Sequence, residues 1–591
     1  MCKLEEHYGN CDEGTRNNEY CIFHKPNKDE KDAKEFYRKF LERFKPRVEE
    51  IGVDGGKKKR FVFEDDLKCQ GFVFPEIPNG PIEYTDKDGN KWEGKFSFEY
   101  ALFKKDCKFY RARLSGINFS NAQFLNKVSF FDARFYSVIF KDAIFKGYVD
   151  FGTSQFYGIS NFRGAKFKNG ASFRGAYFKK AEFQAAEFTG HTKFTGATLD
   201  NASFDSATFK GIAEFYGTTF RNMATFRDTT FNQQVYFSED SETNKPAVFE
   251  GQAIFERAKF LRKAYFERTE FKSIVGFRKA RFNALANFYR ATFEGEVNTF
   301  SGITFGGDVQ FSEVTFKNFV SFQGSTFEGT AQFIETIFEE ESNFLDCVFS
   351  KLVTFYNAVF KGNVIFKGTT FERIALFTGK PDKEKYKFYA DLDFSNCDVY
   401  KGVEIDIPSE WFKLSKAEAE ARRIQKISYE RLGLYSKADE MLVKYKRVLR
   451  REKSNLHAFL EWLFLDLPSE YLTNPKKVIY TSVIIIIAFS IMYWIGGYYS
   501  EHCWLTGGLN IQGYVISNGN ICIGTLQKPS TGKPIQDLLN SLYYSIVTFT
   551  TLGYGDINPT GIMKALSSLE ALLGALLIAT LVSIGVQKIT R

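Results

Sequence analysis

Histidine is scarce in this chain, with five in 591 residues. The repeat described below holds no clustered acid/base pair, and no glycine loop of the phosphate-binding kind is present, so nothing supports an enzyme mechanism. Methionine (5) and proline (13) are sparse as well. The nine cysteines are too few and too scattered for a disulfide framework. An excess of one charge is also lacking: 79 Lys and Arg against 71 Asp and Glu leave +8. Such a well-mixed surface makes nucleic acid an unexpected partner. The N-terminal stretch "MCKLEEHYGNCDEGTRNNEYC" is polar and has no apolar core. A cleaved signal peptide is therefore not expected, and the first half of the chain is expected to stay in the cytosol.

Phenylalanine, by contrast, occurs 67 times. A bias of that size points to one inward position filled repeatedly by the same residue. From about residue 101 to 394, Phe (occasionally Leu) recurs every five or six residues, as at 162, 167, 173, 178, 183 and 188 and again at 322, 327, 333, 338, 344 and 349. Ala, Ser, Thr or Val stands two residues before most of them, as in "GAKF", "DAIF" and "EVTF". A 3.6-residue period would scatter these positions around a helix, and a period of 2 would alternate them across a strand. A coil of four short sides keeps them all inward. This pattern resembles the pentapeptide-repeat family, which implies a right-handed, quadrilateral parallel β-solenoid over 101–394. The extra residue in alternate units departs from the plain repeat and leaves the corner geometry open. Roughly twelve coils stacked at ~4.8 Å imply a rod on the order of 60 Å long, with stacked Phe along its axis. The polar interruptions 238–247 and 378–387 read as extruded loops. The rod is expected to serve as a structural platform, with a cytosolic protein or ligand as its partner.

Cys2, Cys11, Cys21 and His24 form C-x8-C-x9-C-x2-H, and Cys3His is a zinc ligand set, so residues 1–28 are a candidate structural zinc cap, with His7 as a spare ligand. Residues 29–100 read as an amphipathic helix (30–48) followed by short strands (61–100) leading into the rod. After the rod, 415–467 carries apolar residues at helical spacing and breaks at Gly433, which predicts a helical hairpin. The hairpin's second, basic helix is expected to lie at a membrane interface.

Two stretches are long and apolar enough to cross a bilayer, 478–499 and 561–586. Between them, "DLLNSLYYSIVTFT" (537–550) is a helix-length segment too short and polar to span, followed at once by Thr551, Leu552, Gly553, Tyr554, Gly555 and Asp556. A dehydrated cation in a narrow pore needs oxygens in place of its water shell. Consecutive carbonyls can all face one axis only if the backbone alternates in handedness, which glycine permits at alternate positions. Outer helix, pore helix, T-x-G-Y-G-D and inner helix, in that order over about 475–591, resemble the pore of potassium channels of the two-transmembrane, inward-rectifier-like topology found in prokaryotes.

That resemblance implies K+ as the permeant ion, coordinated by Thr551, Leu552, Gly553, Tyr554 and Gly555. It also implies a homotetramer, because each chain supplies one quarter of the filter. Tyr554 is expected to brace the filter against Tyr543 and Tyr544. Val547 stands where some relatives carry a carboxylate, so Asp556 is expected to be held by the hydroxyl of Tyr543 or of Tyr544. Gly574 is a candidate gating hinge or a site of close packing. Thr580 and Ser583 are candidates for lining the cavity. Cys503 and Cys522, in the outer loop 500–535, are candidates for a disulfide.

Basic residues at 444–453, 475–477 and 587–591 predict cytosolic termini on a multi-pass protein of the plasma membrane, in contact with lipid. Only five residues follow the inner span, so control is expected to come from the amino-terminal side, through 415–477. A non-selective cation channel and a membrane-anchored scaffold with a closed pore are the competing expectations.

Overall fold

The computed structural model describes residues 3–15, 18–379, 391–400, 402–406, 409, 412–499, 505–506, 520–521, 533–559 and 561–591. Cys2, Cys503, Cys522 and most of the loops 378–387 and 500–535 lie outside the described residues. The chain divides into two compact units, Met1–Leu432 and Gly433–Arg591.

In the first unit the phenylalanine spacing becomes a four-sided β-solenoid of about 12 turns. Two-residue strands stack in parallel register, Phe103 on Phe124, Phe124 on Phe145 and Phe145 on Phe167, so one coil takes 21 or 22 residues. Each side contributes its own ladder of rings. Within a ladder the rings stack face to face, as Phe124 on Phe145 at 4.8 Å and 3°. Rings on opposite sides of the coil meet edge-on across the axis, as Phe183 and Phe194 at 5.7 Å and 88°. Both arrangements suit the ring quadrupole, and the rings are almost wholly buried. The small residue two places earlier, such as Ala122 or Ala143, is buried too and leaves room for the ring of its neighbour.

The corners are of two kinds. In a five-residue unit such as Phe119–Phe124, the Ala122 N–H donates to the Phe119 carbonyl at 3.1 Å, and Asn121 takes φ 58°. This is a β-turn with a left-handed third residue, as type II requires. Left-handed residues recur at Asp132, Asp142, Thr153, Gly164 and Gly175. The six-residue unit Phe124–Phe130 contains no such residue. The five-residue units Phe135–Phe140 and Phe178–Phe183 also round their corners without a positive φ, so unit length alone does not set the turn.

Pairing begins upstream of residue 101: Val62 and Phe63 already pair with Leu102 and Phe103, and Leu67 with Cys107. The hairpin Ile82–Thr85 and Lys91–Gly94 is inserted in that first turn. Helix Glu30–Phe44 starts on the Asp29 carboxylate, which accepts from the Asp32 N–H at 2.8 Å. It buries Phe36, Tyr37, Phe40 and Leu41 over the open end of the ladders, with Tyr37 stacked on Phe96 at 4.4 Å. The interruption at 238–247 is a loop closed by the Asp240 N–H donating to the Lys245 carbonyl at 2.8 Å. It lengthens that coil, so that Phe231 pairs with Phe260. Helix Ser415–Arg431 covers the other end: the Ser428 hydroxyl accepts from the Val403 N–H at 2.7 Å, and Arg423 donates to the Phe394 carbonyl at 3.1 Å.

The second unit is helical. Gly433 (φ 70°) breaks the helical run predicted over 415–467, which continues as Tyr435–Arg450 and Asn455–Glu461. Leu456, Phe459, Leu460 and Phe464 are exposed. Asp466, itself buried, accepts from Arg447 at 2.8 Å and from Arg450 at 2.7 Å. Burial alone would raise the Asp466 carboxyl, but the two guanidiniums outweigh it and hold it below the ordinary carboxylate value. The stabilisation from this cluster is therefore present above that value and is lost as pH falls through the lowered one. Beyond it come two apolar helices long enough to cross a membrane, Pro475–Tyr499 and Ile562–Thr590, with the shorter helix Pro534–Phe549 packed between them.

Candidate functional site

The short helix Pro534–Phe549 opens with proline at its amino end and stops at Thr550. Its last turn hands over to an extended segment through three bonds: Thr550 N–H to Ile546 O (3.0 Å), Thr551 N–H to Thr548 O (3.0 Å) and Leu552 N–H to Val547 O (3.1 Å). From there the backbone alternates. Thr551, Gly553 and Gly555 have φ of 57°, 57° and 72°, while the intervening Leu552 and Tyr554 are not left-handed. The two glycines are the residues the pattern calls for. Thr551 is the addition, a β-branched residue in a region such residues avoid. Its hydroxyl donates to the Thr550 carbonyl at 2.7 Å.

Thr551–Asp556 are exposed in the single chain, with Leu552 61% and Tyr554 68% accessible. Around them, Tyr543 stands close enough to the Asp556 carboxylate to feel its charge, whereas the Tyr544 hydroxyl lies 2.9 Å from that of Ser567. Tyr544 instead packs edge-on against Tyr493 of the first apolar helix at 5.0 Å. Asn558 donates to the Gly555 carbonyl at 3.4 Å.

Two apolar clusters hold the three helices together: Phe489, Tyr493, Tyr544, Ile557 and Met563 in one, and Val478, Phe549, Leu577 and Ile584 in the other. Gly574 lies where the second apolar helix meets the end of the short one. A Cβ there would sit 2.0 Å from the Phe549 carbonyl oxygen. This close approach gives the glycine a packing reason that needs no hinge. Thr580 is half-buried and donates to the Leu576 carbonyl at 2.8 Å; Ser583 is half-buried as well. Sequence reasoning missed Glu570, which is fully buried on the second apolar helix and hydrogen-bonded to Tyr493 and Ser545. The signal was available as an acidic residue inside an otherwise apolar span.

In the first unit, Cys11, Cys21 and His24 converge, all buried, with their ligand atoms within 4.8 Å of one another. The Cys11 and Cys21 sulfurs lie 3.4 and 2.9 Å from His24 Nδ1. Tetrahedral zinc, with bonds of about 2.3 Å to sulfur and 2.0 Å to nitrogen, sets that separation near 3.5 Å. One contact therefore matches, and the other needs about half an ångström of opening. Nε2 of His24 faces the Gln70 carbonyl at 3.4 Å, which turns Nδ1 towards the sulfurs. Burial is the main cause that lowers His24 to about 4, so the ring is neutral at pH 7, as a ligand must be. Arg43 donates to the Asn10 and Cys11 carbonyls at 3.0 and 3.3 Å and fixes the loop that carries Cys11. His7 is exposed and stands outside the cluster.

A family model described as "Pentapeptide repeats (9 copies)" matches residues 109–155, 151–198, 194–239, 255–299, 288–347 and 333–379. A second, described as "Ion channel", matches residues 510–591. No curated protein and no solved structure matches the chain. Neither of the two matched families is one of enzymes.

Proposed function

From the premise that this chain joins a pentapeptide-repeat solenoid to an ion-channel domain in a membrane protein, we propose that residues 475–591 form one quarter of a potassium-selective pore. The observation that carries this reading is the alternating backbone of Thr551–Gly555, held at the end of a short helix between two apolar helices. A backbone that alternates in this way turns successive carbonyls to one side, as the coordination of a dehydrated K+ requires. A single chain leaves those carbonyls with nothing opposite them. Four copies around an axis close the ring and remove the exposure of Leu552 and Tyr554. Asp556, held by Tyr543, anchors the outer end of the filter, and Thr580 and Ser583 line the cavity beneath it.

The basic residues at 444–453, 475–477 and 587–591 keep both termini in the cytosol of a cell whose plasma membrane holds the pore. The exposed apolar residues of Asn455–Glu461 and the turn after it lie in the membrane interface. The solenoid then acts on the pore from the amino-terminal side as an assembly or gating element that answers to a cytosolic partner. Purified protein in potassium-loaded liposomes is expected to release K+ far faster than Na+, with barium blocking the flux. Comparable sodium flux would make it a non-selective channel, and no flux of either ion would reduce it to a scaffold.

A second proposal concerns the amino-terminal cluster, which fits a structural zinc ion with Cys11, Cys21 and His24 as three of its four ligands. Cys2 is the expected fourth. One zinc per chain is expected by elemental analysis of the full-length protein, reduced to background in Cys21→Ser. The expected consequence of its loss is faster hydrogen exchange around residues 8–24 and 69–74. Stoichiometric zinc in the Cys21→Ser protein would sink the assignment.

A further inference from the structure

A carboxyl group in the middle of an apolar membrane helix is costly and needs a reason. Glu570 stands in Ile562–Thr590 and is fully buried. Its two oxygens go to two different helices. Oε2 accepts from the Tyr493 hydroxyl of the outer helix at 2.7 Å, and Oε1 accepts from the Ser545 hydroxyl of the pore helix. Ser545 also lies 2.9 Å from the Ile486 carbonyl, so the same hydroxyl touches all three helices. Beside it, Ser567 is 3.3 Å from the Tyr493 hydroxyl and 2.9 Å from that of Tyr544. One carboxyl group thus joins outer, pore and inner helices through hydroxyls alone.

The spacing gives the contact a direction. Glu570 and Gly574 are four residues apart on the inner helix and share a face, as do Ser545 and Phe549 on the pore helix. Glu570 meets Ser545, and the missing side chain of Gly574 meets the carbonyl of Phe549. Two contacts one turn apart fix both the distance of the pore helix and its rotation about its own axis. The second falls on the last residue of the helix, immediately before the segment whose φ values alternate. A small rotation there would turn every carbonyl of Thr551–Gly555 off the axis together.

The geometry points to Glu570 as a positioning residue for the selectivity filter, acting through Ser545 and Tyr493 on the orientation of the pore helix. This inference rests on the potassium-pore reading, and its test begins by separating the two. Wild-type protein in planar bilayers is measured first, by reversal potential in mixed potassium and sodium; absence of selectivity there overturns the pore reading and this inference with it.

Given a selective wild type, Glu570→Leu is expected to lower the K+/Na+ permeability ratio of assembled channels by about tenfold, the size of effect that orphaning buried polar partners produces. Glu570→Gln is expected to stay within about twofold of wild type. Its amide keeps an acceptor for Tyr493 and donates to Ser545, whose proton then goes to the Ile486 carbonyl. A purely structural role would lower the yield of assembled protein and leave the ratio of the surviving channels unchanged. Should Glu570→Leu fail to assemble, Tyr493→Phe and Ser545→Ala each delete one hydroxyl at nearly constant volume. Each is expected to reduce the ratio, and the double variant to reduce it by less than the product of the two. Wild-type ratios in both single variants would overturn the inference, as would a wild-type ratio in assembled Glu570→Leu.

Discussion

Gly553→Ala is expected to bring potassium release from proteoliposomes down to the level of empty vesicles while the protein still inserts and assembles. Gly553 holds φ 57°, and the space around it in one chain is open, with nothing within 4 Å of the point a Cβ would occupy. The obstacle is therefore the backbone itself, since an L-residue in the left-handed region costs about 1–2 kcal/mol. In a pore built from four chains the cost recurs four times around one ring. The relaxed alternative has a negative φ, which swings the neighbouring carbonyls away from the axis. Gly555, at φ 72°, is expected to behave in the same way. Gly585→Ala is the matched control: a Cβ there also meets nothing, but the residue is helical. It is expected to leave flux unchanged and to gain up to ~1 kcal/mol of helix propensity. Flux from Gly553→Ala at the wild-type rate would remove the carbonyl filter from consideration.

The second large effect lies in the solenoid. Phe277 is fully buried, stacked between Phe255 at 4.6 Å and Phe300 at 5.2 Å, with Phe266 and Phe288 edge-on at 5.5 and 5.8 Å. Phe277→Ala removes a ring from these contacts and from those with Phe271 and Phe282, and is expected to cost about 3–5 kcal/mol. Each coil touches only its neighbours, so the loss stays local. Hydrogen exchange is expected to accelerate between about residues 250 and 305 and to remain unchanged near Phe103 and Phe124. The ladders themselves show how much substitution they bear. Leu199 takes a ring's place between Phe178 and Phe220 and is equally buried. Phe277→Leu is accordingly expected to cost less than ~1.5 kcal/mol. Uniform acceleration of exchange along the whole solenoid in Phe277→Ala would contradict a stack of nearest-neighbour coils.

Much of this architecture is legible in the residues because the information is local. A side chain that must face an axis every five or six residues declares itself by spacing, and a segment that alternates in backbone handedness declares itself by its glycines. The corners were less readable. Asn121, Asp132 and Ala185 all occupy left-handed positions, yet these residue types are also ordinary strand or loop residues. Only the turn hydrogen bond from the third residue after each Phe shows which units need a positive φ. Thr551 was hidden for a similar reason, since a β-branched residue gives no hint of a left-handed conformation imposed by its neighbours.

The adjacent pair Tyr543 and Tyr544 marks the limit. Neighbours on a helix point about 100° apart, so one can reach Asp556 while the other faces Ser567, but the sequence does not say which. The rotation of the helix decides, and that rotation is set by what packs against it.

The sequence by itself determined the coil, its inward phenylalanines, the two apolar helices and the alternation at Gly553 and Gly555, because each follows from preferences expressed over a few consecutive residues. The tertiary structure alone decided that Tyr544 faces Ser567, that Cys11, Cys21 and His24 converge, and that Glu570 joins Tyr493 to Ser545. Tyr493 and Glu570 stand 77 residues apart. Their meeting depends on the azimuth of two helices about their own axes, a quantity fixed by packing between segments and written in neither segment alone.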